Sequence, residues 1–166
     1  MDADAKKTAL RMIPYGLYVL TAEKGDQIAA STVNWVTQAS FEPPLVVVGV
    51  KADSGAHALI NETRAFALNI LGKGQQNQAF AFFKPAEGDG STVGGEAYTS
   101  GETGSPILDC AAAFLECRLT DVIARGDHSI FVGEVVEARV RGEIPGRADH
   151  ATLLMADLGE KTFYGG

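Results

Sequence analysis

Residues 31–45, Ser31-Thr32-Val33-Asn34-Trp35-Val36-Thr37-Gln38-Ala39-Ser40-Phe41-Glu42-Pro43-Pro44-Leu45, decide the fold. They read as the end of a strand that runs into a stop, because Pro43-Pro44 cannot donate to a ladder. Upstream, Lys24-Gly25-Asp26 is a turn signal between residues 16–21 and 27–38. Those two runs are therefore expected to pair as a hairpin. Downstream, residues 45–50 form a continuous apolar, β-branched run. Such a run predicts a strand buried on both faces.

The same reading extends to the rest of the chain. Residues 3–12 predict a short helix with Ala5, Ala9, Leu10 and Ile13 near one face, ended by Pro14. Asp53-Ser54-Gly55 opens a helix over residues 54–62, and residues 65–71 form another strand. Residues 75–83 predict a helix with Ala79, Phe80 and Phe83 on one side. Residues 84–106, rich in Gly, Ser, Thr and Glu, are the longest expected irregular stretch. Residues 107–123 and 128–140 predict two long strands around an Arg125-Gly126-Asp127 turn, and a short segment at 151–156 precedes the tail. Strands dominate, and the regular crossover helices of a parallel sheet are missing. The expected fold is mainly β with peripheral helices, an antiparallel Greek-key split β-barrel in a single domain, residues 1–166.

Composition narrows the function. The 166 residues are 46% hydrophobic, enough for a core without a disulfide or metal staple. The net charge of -7 argues against a nucleic-acid partner. No apolar run approaches the roughly 20 residues of a membrane helix, and the polar start at Met1 lacks a secretory core. The expectation is a cytoplasmic protein without membrane contact. Cys110 and Cys117 lie seven apart in one expected strand, on opposite faces, and read as buried thiols rather than a pair. Neither the cysteines nor the three histidines have metal-ligand spacing. Gly72-Lys73-Gly74-Gln75-Gln76-Asn77 lacks the third glycine of a dinucleotide fingerprint, and residues 88–95 lack the Gly-Lys-Ser/Thr of a phosphate loop.

Three segments could carry chemistry. Ser31, Thr32, Asn34, Thr37, Gln38 and Ser40 offer hydroxyls and amides suited to the polar edge of a flavin, or to the wet face of an ordinary strand. Asp53-Ser54-Gly55-Ala56-His57 offers a capped helix start, where free amides and the dipole favour an anion. Asp53 as the cap would compete with that role, and a plain surface helix reads the same way. Asp127-His128, at a hairpin beginning, can donate to a carbonyl or hold a second substrate, or can be a structural pair.

The order of these segments resembles the flavin reductase family of FMN-binding split barrels. The resemblance rests on residues 13–21, 31–45, Asp53-Ser54-Gly55-Ala56-His57, Phe66-Ala67-Leu68-Asn69-Ile70-Leu71, residues 126–135 and residues 157–166. It implies a homodimer with one FMN per subunit and NADH or NADPH as co-substrate. Residues from Ser31 through Val33 to Ser40 would follow the ribityl chain and ring. Ser31, Thr32 and the helix start with Asp53, Ser54 and His57 would hold the phosphate. Backbone around Asn34, Trp35, Val36 and Thr37 would meet the ring's polar edge. Asn69 would close the pocket side, and His128 would lie at the ring face open to nicotinamide. The implied function is hydride transfer from NAD(P)H to FMN, then electron transfer to an acceptor, possibly a separate redox protein. Alternatives are an FMN electron carrier reduced by a partner protein and a cofactor-free β-barrel interaction module.

Overall fold

The computed structural model describes residues 1–84, 86 and 88–165; Pro85, Glu87 and Gly166, which belong to the expected irregular stretch and the tail, lie outside it. In chain order the elements are α1 (Ala3–Arg11), β1 (Tyr18–Lys24), β2 (Gln27–Val33), β3 (Val36–Ser40), β4 (Leu45–Lys51), α2 (Gly55–Thr63) and β5 (Ala65–Ile70). Then follow α3 (Gln76–Ala81), β6 (Thr92–Val93), β7 (Glu96–Ser100), β8 (Pro106–Leu108), β9 (Ala113–Ala124), β10 (His128–Val140), α4 (Ala148–Ala151) and a 3-10 turn, Met155–Leu158. No described helix is long and apolar enough to cross a membrane.

Seven strands form one antiparallel sheet in the order β2-β1-β5-β9-β10-β4-β3. Its two edge strands, β2 and β3, are consecutive in the chain and separated only by Asn34 and Trp35. The three residue steps from Val33 to Val36 span at most about 10 Å, so the sheet must roll until its edges nearly meet. The result is a barrel with one unladdered seam. This corrects the expected single strand over 27–38: the chain crosses the seam at Asn34-Trp35 and leaves β1 to pair with β4. The Trp35 carbonyl accepts the Gly49 N–H (2.8 Å) and anchors the crossing.

The barrel interior is filled by Leu20, Val48, Val50, Phe66, Leu68 and Phe131, with Leu59 and Ile60 of α2 packed against them. Each large side chain of this kind contributes about 1.5–3 kcal/mol when fully buried. A second core lies outside the barrel, where Leu17, Val19, Leu71, Phe82, Leu108, Leu153 and Met155 pack together. The strands buried on both faces are therefore β1 and β5, between the two cores. β4 instead alternates, with Val46, Val48 and Val50 inward and its other residues partly open. In α3 only Ala79 is buried, and Phe82 just beyond it fills the outer core; Phe80 and Phe83 are about half exposed and touch edge to face.

The described residues from Gly88 to Pro106 hold more regular structure than expected. β6, β7 and β8 form a small antiparallel sheet against the barrel. The expected strand over 107–123 is split, because β8 belongs to that small sheet and β9 to the barrel. Cys110 consequently lies in the turn between them, and only Cys117 sits in a strand. Both thiols are free, and burial pushes each up to about 12.

Candidate functional site

A cleft of about 570 Å³ runs along the seam, within the roughly 300–1,000 Å³ of small-molecule sites. β2 and the crossing form one wall through Ile28, Ser31, Thr32, Val33 and Asn34. Gly49, Val50 and Lys51 of β4 and the start of α2 form the other. Leu17, Leu20, Phe82 and Met155 make the apolar floor, and His128 with Tyr164 borders the rim. The β2 wall is tied to the segment following α3. Thr32 donates its N–H to the Phe82 carbonyl (2.9 Å) and its hydroxyl to the Ala79 carbonyl (2.7 Å).

The helix start differs from expectation. Ser54, not Asp53, caps α2: its hydroxyl accepts the His57 N–H (3.1 Å) and donates to the Lys51 carbonyl (2.7 Å). Ser54 has the extended cap geometry from which a short hydroxyl reaches the third amide. Asp53 turns outward to Lys51 (3.0 Å), whose hydrogen bond and charge hold its carboxyl below the usual range. Gly55 and Ala56 line the cleft, and first-turn amides have no acceptor inside their helix. With Lys51 they make the end of the cleft best suited to an anion.

His128 stands beside that end, because it pairs with Lys51 across β10 and β4. Its Nδ1 lies 2.9 Å from Asp127 Oδ1 and its Nε2 lies 2.8 Å from the Tyr164 hydroxyl. Burial raises the Tyr164 phenol, so it remains a neutral donor. The hydrogen bond from His128 lowers the Asp127 carboxyl. A neutral ring with its proton on Nδ1, facing the Asp127 carboxylate, would leave Nε2 to accept from Tyr164.

The cleft thus brings together Ser31, Thr32, Val33, Asn34, Asp53, Ser54 and His128. It leaves out His57, whose ring turns toward the barrel: Nε2 meets Ser129 Oγ (2.9 Å), Nδ1 meets Asn61 Nδ2 (3.2 Å), and Phe131 lies at 4.9 Å. It leaves out Asn69, fully buried, which accepts the Leu108 N–H (2.8 Å) and donates to the Val19 carbonyl and Thr21 hydroxyl. Asn69 joins the barrel to the small sheet. Val36, Thr37 and Ser40 lie on β3 beyond the crossing, Val36 against the barrel core and Thr37 exposed. Trp35 stands behind the rim over Gly49, its ring 4.6 Å from His128 and 5.4 Å from Tyr164. Its buried Nε1 has no acceptor among the described residues.

Sequence reasoning gave no role to Lys51, Phe82 or Tyr164. Lys51 could have been found as the cation just before the helix start. Phe82 and Tyr164 carry no local signal, because distant segments bring them to the cleft.

A second depression, of about 500 Å³, includes Arg139, Arg141 and Glu116. Buried Glu116 is already satisfied there by the Glu102 and Thr103 amides and the Thr103 hydroxyl.

The seam cleft fits a flavin: an apolar floor for a ring, small polar groups along one wall, and amides with a lysine at an anion end. Residues 10–160 match the model of the flavin reductase like domain, and the chain belongs to that family. It is 36% identical over 141 residues to diflavin flavoprotein A 1 of Synechocystis, covering 84% of this chain but only 24% of that protein. It is similar in structure to the Streptomyces globisporus NADH:FAD oxidoreductase SgcE6, with 27% identity, TM-score 0.76, and coverage of 99% of this chain and 96% of that one. An FMN-binding protein from Thermus thermophilus with bound p-hydroxybenzaldehyde gives 28% identity and TM-score 0.69, covering 76% of this chain and 72% of that one.

Proposed function

We propose that this chain is an NAD(P)H-dependent flavin reductase that binds FMN in the seam cleft. The observation that carries the reading is the convergence of Ser31, Asn34, Ser54 and His128 on one apolar-floored cleft in a chain of this family. The Streptomyces relative, an NADH:FAD oxidoreductase, supports a nicotinamide donor and a flavin, and the Thermus FMN-binding protein supports FMN as that flavin. Bound flavin supplies the hydride-accepting chemistry itself, so no protein acid or base is needed to move the hydride. The chain's residues bind and orient. Gly55 and Ala56 present amides to the phosphate, with Lys51 as counter-charge. Leu17, Leu20, Phe82 and Met155 exclude water from the ring. Asp127 fixes the His128 tautomer, which leaves Nε2 able to accept a hydrogen bond at the rim. With both bound, a cleft that holds the flavin and nicotinamide side by side would accelerate hydride transfer by proximity.

The test is an anaerobic visible spectrum of FMN-loaded protein before and after NADH or NADPH. Bleaching well above the free-FMN control is expected. A bound flavin left unbleached by both donors refutes the reductase reading. It would favour an electron carrier fed by a partner protein, a role consistent with the chain matching only part of a diflavin flavoprotein.

The homodimer is also part of this reading. Ile123 and Ile130 face each other across β9 and β10 and remain 48% and 45% exposed. They lie beside Gly49 on the outer barrel face. Sedimentation is expected to give twice the 17.5 kDa chain mass; a monomer at micromolar concentration would remove the dimer.

A further inference from the structure

The tail after the 3-10 turn does not trail into solvent. Residues 162–164 line the cleft, and contacts from the seam crossing, β10 and α1 hold them and Gly165 there. Asn34 Nδ2 donates to the Tyr164 carbonyl (2.9 Å) from the seam crossing. The Tyr164 hydroxyl hydrogen-bonds with His128 Nε2 (2.8 Å) on β10. The Tyr164 ring leans on Trp35 at 5.4 Å. Arg11 of α1 lies over the Phe163 ring at 4.3 Å and reaches the Gly165 carbonyl (3.4 Å). The segment thereby crosses the rim at the anion end, where Lys51 and His128 pair.

These contacts are of an unusual kind for a fixed core element. Asn34 is buried, but Phe163 and Tyr164 are about half exposed. Polar and edge contacts on half-exposed side chains can break without opening either hydrophobic core, so the segment belongs to the low-stability end of the molecule. Among the described residues the His128 side chain hydrogen-bonds only to Asp127 and Tyr164.

We propose that residues 162–165 form a strap over the mouth of the cleft, with Tyr164 as the positioning residue that latches it to His128, so that flavin enters and leaves only when the strap opens. The proposal rests on the flavin reading above and adds a residue that sets exchange rather than chemistry. A closed strap shields the ring from water, and an open one frees both the cleft mouth and His128 Nε2. Such gating makes the rates of association and dissociation rise or fall together, whereas a direct ligand contact changes dissociation alone.

Trp35 is the chain's single tryptophan and packs on both His128 and Tyr164, so it reports the strap without any flavin. The experiment compares wild type, Tyr164→Phe and Tyr164→Ala. First, acrylamide quenching of Trp35 is measured in flavin-free full-length protein. Second, stopped-flow fluorescence gives the rates of FMN uptake and release. Quenching is expected to increase from wild type through Tyr164→Phe to Tyr164→Ala. In Tyr164→Ala, uptake and release should both accelerate by about tenfold or more, leaving affinity changed much less. Tyr164→Phe keeps the ring and loses only the latch, so it should fold as wild type and show an intermediate acceleration. Equal rates in all three proteins overturn the strap, as does faster release with unchanged uptake, which would make Tyr164 an ordinary flavin contact. Neither rate depends on a hydride donor, so failure of NAD(P)H to bleach the flavin would remove the reductase reading and leave the strap standing. If wild type takes up no FMN, both fall.

Discussion

Ser54→Asp is expected to weaken FMN binding by about ten- to a hundredfold, the effect of a like charge set against a phosphate. The substitution separates two roles that Ser54 combines. Aspartate is as good a helix cap as serine, and it can accept the His57 N–H as Ser54 now does. Helix α2 should therefore stay folded, although the hydrogen bond that Ser54 donates to the Lys51 carbonyl is lost. What changes is the sign of charge beside the Gly55 and Ala56 amides and Lys51. Riboflavin, which carries no phosphate, should bind the variant and the wild type alike in the same fluorescence titration. Equal FMN affinity for the two proteins would move the phosphate away from the start of α2.

Gly133→Ala should cost about 3 kcal/mol of folding stability, at the upper end of what one inserted methyl does to a packed core. Gly133 sits where the register of β10 against β9 shifts. A Cβ there would stand 2.5 Å from Phe66 Cζ and 2.9 Å from Cys117 Cβ. Phe66 and Cys117 are both fully buried, and neither has a free rotamer toward solvent. For a chain of this length the melting temperature should fall by roughly 6–12 °C. A melt within a degree of wild type would mean that the barrel relaxes around the methyl. Because Gly133 is remote from the cleft, protein that still folds at low temperature should retain FMN.

Several parts of the molecule are legible from local chemistry. Lys24-Gly25-Asp26 and Arg125-Gly126-Asp127 mark the two hairpin turns where they occur. The helix expected over residues 3–12 is found as α1. The hydroxyl-rich run from Ser31 and the serine before α2 both reach the cleft, since backbone direction and capping are set within a few residues. Misreadings fall where a distant partner decides. Residues 27–38 have one continuous strand character, and the break at Asn34-Trp35 exists only because the rolled sheet offers β4 as a second partner. Residues 45–50 look buried on both faces, but the outer core that would cover β4 lies instead against β1 and β5. His57 and Asn69 are polar residues next to site segments, yet their side chains satisfy Ser129, Asn61 and the small sheet. No spacing rule shows which of two faces a polar side chain will take.

By itself the sequence determined that this chain is an antiparallel β-rich barrel, and it pointed to a polar strand and a capped helix start as candidate binding elements. Turn chemistry, proline stops and capping are properties of neighbouring residues. Only the tertiary structure decided that the barrel closes with an open seam, that Lys51 and His128 share one end of the cleft, and that Tyr164 reaches back across 36 residues to His128. Those contacts follow from strand order and sheet curvature, which arise when remote segments bury apolar surface together.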